Sequence, residues 1–181
     1  RVRGFTSGYK PSEILTETFL INIYTSLPVI ALTTDPDNLR NEETGMLAED
    51  EELKATYKKL AFSGLAYWQK LAYPGNFEFF TADGTQHLNQ GVELQLNGQF
   101  SLDMAQKSFR VPARARYGKS TLAYPFFDDR PFPEFQAVLL RNGGQDGKYT
   151  RIIDALQSKI IDCTGSDIMQ MASTPVLVYP H

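Results

Sequence analysis

The sequence predicts an α+β protein with a largely antiparallel sheet and two main helices. Three observations carry that expectation. Val92, Leu94 and Leu96 alternate strictly with Glu93, Gln95 and Asn97, the period-two signature of a half-buried strand. Tyr149, Ile152, Ile153, Leu156, Ile160 and Cys163 recur at helical spacing, an amphipathic stripe over 148–163. Between such segments stand the turn and break stretches "SGYKPS", "ADGT" and "NGGQDG".

Taken in order, "ILTETFLI" (14–21) combines β-branched and aromatic residues after the turn "SGYKPS" and reads as a strand. "PVIALT" (28–33) is a continuous apolar run, the pattern of a buried strand. Asp35-Pro36 then supplies an N-cap and a proline at the first helical position, which opens a short helix. From Leu47 to about Lys70 the chain is charged, then aromatic, without proline, and reads as a helix with Gly64 a break. "NFEFFT" (76–81) and "GVELQLNG" (91–98) are strands around the turn region "ADGT", with His87 in a polar stretch that reads as loop.

The next strand spans 106–116, "QKSFRVPARAR". Pro112 forfeits a backbone donor there and places that stretch at an edge or a bulge. "YPFFDDRPFPEF" (124–135) is a loop whose aromatic rings must dock on the core. "FQAVLLR" (135–141) is a strand, "NGGQDG" a break, 148–163 a helix, and "PVLVY" (175–179) a closing strand.

The 181 residues suffice for one domain with a sizeable core, and 42% hydrophobic with 22% charged residues is ordinary for a globular chain. A net charge of −3 gives no global attraction for nucleic acid or an anionic membrane. With one cysteine an internal disulfide framework is excluded. His87 and His181 stand too far apart in sequence for a recognisable His/Cys zinc motif. No apolar run approaches the ~20 residues of a membrane span, and no signal peptide is visible.

The charge is uneven. Lys107, Arg110, Arg114, Arg116 and Lys119 crowd a stretch without an acid between Met104 and Phe127. Such a run either recognises phosphate or carboxylate or is a solvated strand face. Lys107 is the odd member, because it falls in phase with Phe109, Val111 and Ala113 while Arg110, Arg114 and Arg116 alternate away. A lysine there can lay its stem along apolar surface and carry its ammonium outward. Alternatively it points inward from the sheet at nucleotide phosphates, as the strand lysine of kinases does.

Gly143, Gly144 and Gly147 lie between a strand and a helix, where backbone amides can hold an anion or where a tight connection simply needs glycine. Neither "GKS" (118–120) nor "GK" (147–148) makes a Walker A loop, since Ala113 and Asn142 stand where the first glycine belongs. Glu49, Asp50, Glu51 and Glu52 suit a helix start.

Several segments together resemble the spore-coat protein H (CotH) kinase family of atypical secreted or surface protein kinases. "LPVIALTTDPDNLRNEETGM" (27–46) resembles that family's opening, and "FEFFTADGT" (77–85) its strand-and-turn. "GVELQLNG" and "QKSFRVPARARYG" resemble its paired strands, and "AYPFF" and "VLLRNGGQD" its later motifs, all in family order. Residues 1–21 resemble the last strands of a chitobiase C-terminal-like, fibronectin-type module, which sets a boundary near residues 23–27. Residues 1–24 then end a preceding β-sandwich-like module, and 25–181 form the N-terminal part of a CotH-like domain.

The resemblance implies a kinase-like N-terminal lobe, with Lys107, Arg110, Arg141 and Asp146 at the nucleotide. It implies ATP with Mg or Mn as cofactor, protein Ser/Thr as substrate, and an extracellular or cell-surface location. The sequence departs from the family at Gly98-Gln99-Phe100-Ser101-Leu102, where a second glycine and an arginine belong. The family's catalytic and metal-binding aspartates lie farther C-terminal than His181, so this stretch by itself is expected to be inactive. A non-catalytic surface module that binds protein or glycan is the alternative.

Overall fold

Six strands pair into one sheet, in the spatial order Ala137–Leu140, Ser108–Pro112, Gln86–Asn97, Ala72–Phe80, Val29–Thr34 and Leu177–Pro180. The computed structural model describes residues 1–48, 71–98 and 100–181. In chain order the strands are β1 (Val29–Thr34), β2 (Ala72–Phe80), β3 (Gln86–Asn97), β4 (Ser108–Pro112), β5 (Leu122–Ala123), β6 (Glu134–Phe135), β7 (Ala137–Leu140) and β8 (Leu177–Pro180). The two helices among the described residues are α1 (Pro36–Arg40) and α2 (Ile153–Cys163). Every pairing in the main sheet is antiparallel except β1 with β8, and β5 pairs separately with β6. The fold is therefore α+β with a mainly antiparallel sheet.

The alternation in β3 divides the sheet into two faces. Ile30, Leu32, Phe77, Phe79, Val92, Leu94, Leu96, Phe109, Val111 and Leu140 form one apolar core with Leu39, Met46, Leu102 and Leu122. The Pro- and Phe-rich loop docks on it: Phe126 meets Phe77 edge-on at 6.2 Å and Phe79 at 5.1 Å, in the geometry the ring quadrupole prefers. The start of α1 is as the sequence predicts. Asp35 caps the helix, accepting from the Asp37 amide, with Pro36 at the first position.

Several elements differ from the sequence reading. Residues 14–21 form no strand. A single bridge ties Val2 to Leu15, and the segment then crosses the outer face of the sheet. There Glu78, fully buried, accepts from the Thr18 amide (2.9 Å), the Thr18 hydroxyl (2.6 Å) and Gln86 (3.0 Å), and Asn89 donates to the Thr16 carbonyl. These side-chain anchors replace a backbone ladder. β2 begins earlier than expected, at Ala72, and β3 begins at Gln86, nearer the turn, so His87 lies on a strand, its ring centroid 5.0 Å from that of Tyr124.

β4 is shorter than expected and is flanked by β3 and β7 rather than lying at an edge. Its ladder with β3 ends at Arg110, however, so Pro112 withholds its donor beyond the last β3 pair. Helix α2 begins at Ile153, after a 3-10 turn over Gly144–Lys148, and none of its residues is buried. Its apolar stripe of Ile153, Leu156 and Ile160 is exposed. The helix read over 47–70 falls almost wholly outside the described residues.

Candidate functional site

The site expected from sequence groups Lys107, Arg110, Arg141 and Asp146. Lys107 stands one residue before β4, half-buried, in phase with the core residues Phe109 and Val111. Its ammonium donates to the Leu102 carbonyl in the 3-10 turn that follows β3. Arg110 has the opposite phase. It is exposed on the outer face of the sheet, where it donates to Gln95 Oε1 at 3.1 Å. Strand alternation thus separates the two side chains that lie three residues apart.

Arg141 and Asp146 flank the glycine-rich connection into α2. Arg141 pairs with Asp154 in the first turn of that helix. Asp146, nearly buried, accepts from the Thr150 hydroxyl (2.6 Å) and from the amides of Thr150 (3.1 Å), Ile152 (3.1 Å) and Ile153 (3.3 Å). The bond from the Thr150 hydroxyl is the largest cause holding this carboxyl below the usual carboxylate range. The backbone amides add to it against the opposing effect of burial. The amides that open α2 therefore already have an anion, supplied by the chain itself.

Gly143 makes the connection possible. Its φ is +90°, and a Cβ there would stand 3.0 Å from the Arg151 Cα. Arg151 is also left-handed, with φ of 64°, and is held by bonds to the Gly147 carbonyl (3.0 Å) and Gln106 Oε1 (2.7 Å).

One residue that sequence reasoning missed joins these parts. Asn142 is buried, and its side chain accepts from the Ser108 hydroxyl (3.0 Å) and the Gly144 amide (2.9 Å). It donates to the carbonyls of Gln106 (2.6 Å) and Ser101 (3.3 Å). The turn before Lys107, the start of β4 and the Arg141–Asp146 connection are thereby one hydrogen-bonded junction. Lys107 stands between Gln106 and Ser108, Arg141 beside Asn142, and Asp146 two residues beyond Gly144, while the Arg110 side chain is on the outer face. No protein-family model, curated protein or solved structure matches this chain.

A divalent ion needs several oxygen ligands. Asp146 already accepts from four donors, and among the described residues no group of three or more His, Cys, Asp or Glu side chains could hold a metal. Nor is any helix among the described residues long and apolar enough to cross a membrane.

Proposed function

We propose that this chain is the sheet-rich, N-terminal part of a CotH-like atypical protein kinase. In the parent protein, at the cell surface or outside the cell, that part holds ATP, with Mg²⁺ or Mn²⁺, for phosphoryl transfer to Ser or Thr of a protein. The observation that carries the reading is the junction. The side chain of Asn142 ties together the chain segments that carry three of the four residues drawn from the family resemblance: Lys107 stands between its partners Gln106 and Ser108, Arg141 is its neighbour in the chain, and Asp146 follows its partner Gly144 by two residues. Lys107 is the residue assigned to the phosphates, with Arg141 and Asp146 positioning the connection beside it. Phosphoryl transfer also needs a positioning carboxylate and a bound divalent ion.

Calorimetric titration of ATP with Mg²⁺ or Mn²⁺ into the full-length natural protein tests this, with Lys107→Ala alongside. Binding that the substitution abolishes supports the reading, provided both proteins melt alike. Equal binding by both proteins, or binding by neither, overturns it.

A second reading is favoured by a specific observation: the acceptor sites of Asp146 and one arm of Arg141 are engaged within the chain. On that reading the chain is a non-catalytic surface module that binds protein or glycan, and no ATP binding is expected.

A further inference from the structure

Two basic segments far apart in sequence meet across a single cleft. The strap of residues 1–16 lies over the outer face of β2 and β3, closed on itself by the paired backbone bonds of Val2 and Leu15, both 2.9 Å. Between the strap and the turn at 114–118 opens a cleft of about 480 Å³, within the range of sites for small ligands. Arg1, Arg3 and Glu13 line it from the strap, Asn76 from β2, and Arg116 and Tyr117 from the turn.

The geometry of the walls is specific. Arg3 is oriented by a 2.7 Å bond from its Nε to the Ser12 carbonyl. Arg116 lies over the Tyr117 ring, 4.6 Å from its centroid, and pairs with the buried carboxylate of Glu93. Glu93 also faces Arg114 at 3.5 Å. Three guanidinium groups, those of Arg1, Arg3 and Arg116, thus line the cleft with one carboxylate, Glu13. The excess positive charge asks for an anionic group on the ligand, and guanidinium forks suit a carboxylate. A lining of cations alone would serve a bare anion. This one adds a carboxylate acceptor at Glu13 and the side-chain amide of Asn76, which itself bonds Asn89 at 2.9 Å. Those groups match hydroxyls.

We infer that the cleft between the N-terminal strap and the 114–118 turn binds an acidic saccharide, a sugar unit carrying both a carboxylate and free hydroxyls. This gives chemical form to the glycan-binding reading and does not rest on nucleotide binding. The site lies beside Gly91, midway along β3, whereas the Asn142 junction lies at its Asn97 end, where Asn97 pairs with Ser108.

The test is calorimetric titration of the full-length natural protein with a galacturonic acid trimer, beside a neutral galactose trimer and inorganic phosphate. The uronate trimer is expected to bind and to weaken with added salt, while the neutral trimer does not bind. Arg3→Gln and Arg116→Lys should each weaken binding about tenfold; the second keeps a charge for Glu93 but loses the fork. Lys107→Ala should leave it unchanged, which separates failure here from failure of the nucleotide reading. Arg3→Gln, on the exposed strap, decides the matter alone if Arg116→Lys does not fold. The inference is overturned if the uronate trimer does not bind, if the neutral trimer binds equally, if phosphate displaces the trimer at equal concentration, or if Arg3→Gln binds like the natural protein.

Discussion

Replacing Asn142 by alanine should destabilise the protein by about 3 kcal/mol, a large share of the 5–15 kcal/mol typical of native proteins. The figure comes from the four bonds of its side chain. Three are short, to Ser108, Gly144 and Gln106, and the bond to Ser101 at 3.3 Å is long. A hydrogen bond contributes roughly 0.5–1.5 kcal/mol net, and buried partners left without water sit at the upper end. Counting the three short bonds at about 1 kcal/mol each gives the total. Asn142→Asp is the sharper test. It keeps the oxygen that accepts from Ser108 and Gly144 but presents a second oxygen to the carbonyls of Gln106 and Ser101. Acceptor then faces acceptor in a buried site, so aspartate should be at least as damaging as alanine despite its isosteric shape. Urea unfolding of the three proteins reads the differences from the midpoints at constant slope. A loss below about 1 kcal/mol for Asn142→Ala, or an Asn142→Asp protein as stable as the natural one, would refute the account of the junction.

Four further outcomes follow from the same geometry. Because the Asp146 carboxyl titrates lower in the folded chain than in the unfolded one, the stability it lends is complete above the unfolded value near pH 4. That stability is lost as pH falls through the lowered folded value, so Asp146→Asn should remove this part of the acid dependence. Unfolding midpoints of the two proteins compared between pH 2 and pH 6 check the sign, with the similarly lowered Asp83 common to both. Gly91→Ala places a Cβ 1.8 Å from the Tyr117 carbonyl oxygen, so the 114–118 turn must move; a loss of roughly 1–3 kcal/mol in urea unfolding is expected. Glu78→Ala removes the acceptor of both Thr18 bonds that hold the segment before β1 to the sheet, and limited proteolysis should cut before residue 25 faster than in the natural protein. Ile160→Asp, by contrast, changes an exposed side chain and should shift stability by no more than about 0.5 kcal/mol in the same unfolding assay.

Where a residue pattern is enforced by local geometry, the sequence was legible. Alternation from Val92 to Leu96 identified the core face of β3 because adjacent side chains must point to opposite sides. Asp35-Pro36 marked the start of α1 because the cap bond spans only two residues. Composition was less reliable. "ILTETFLI" has a strand's residues, yet the chain there anchors through Thr16, Thr18 and Leu20 instead of a ladder. His87 read as loop because the polar end of β3 carries no apolar alternation. The stripe in 148–163 revealed a helix face but not whether anything covers it, and in these residues it stays exposed.

The candidate site divides along the same line. Strand phase alone placed Lys107 with the core set and Arg110 away from it, and the structure keeps that separation. No sequence signal marked Asn142 as the residue that joins Lys107's turn to the Arg141–Asp146 connection, because the partners on the far side of that link, Gln106 and Ser108, lie more than thirty residues upstream. The burial of Glu78 and Glu93 was equally invisible, since on the period-two pattern both belong to the polar face. What the sequence determined by itself was the α+β class, the core face of the sheet and the phase of its charged residues, all consequences of backbone periodicity. Only the tertiary structure decided which polar face is covered, which loop carboxylate caps α2, and which distant arginines share a cleft, because those depend on contacts between segments that periodicity does not relate.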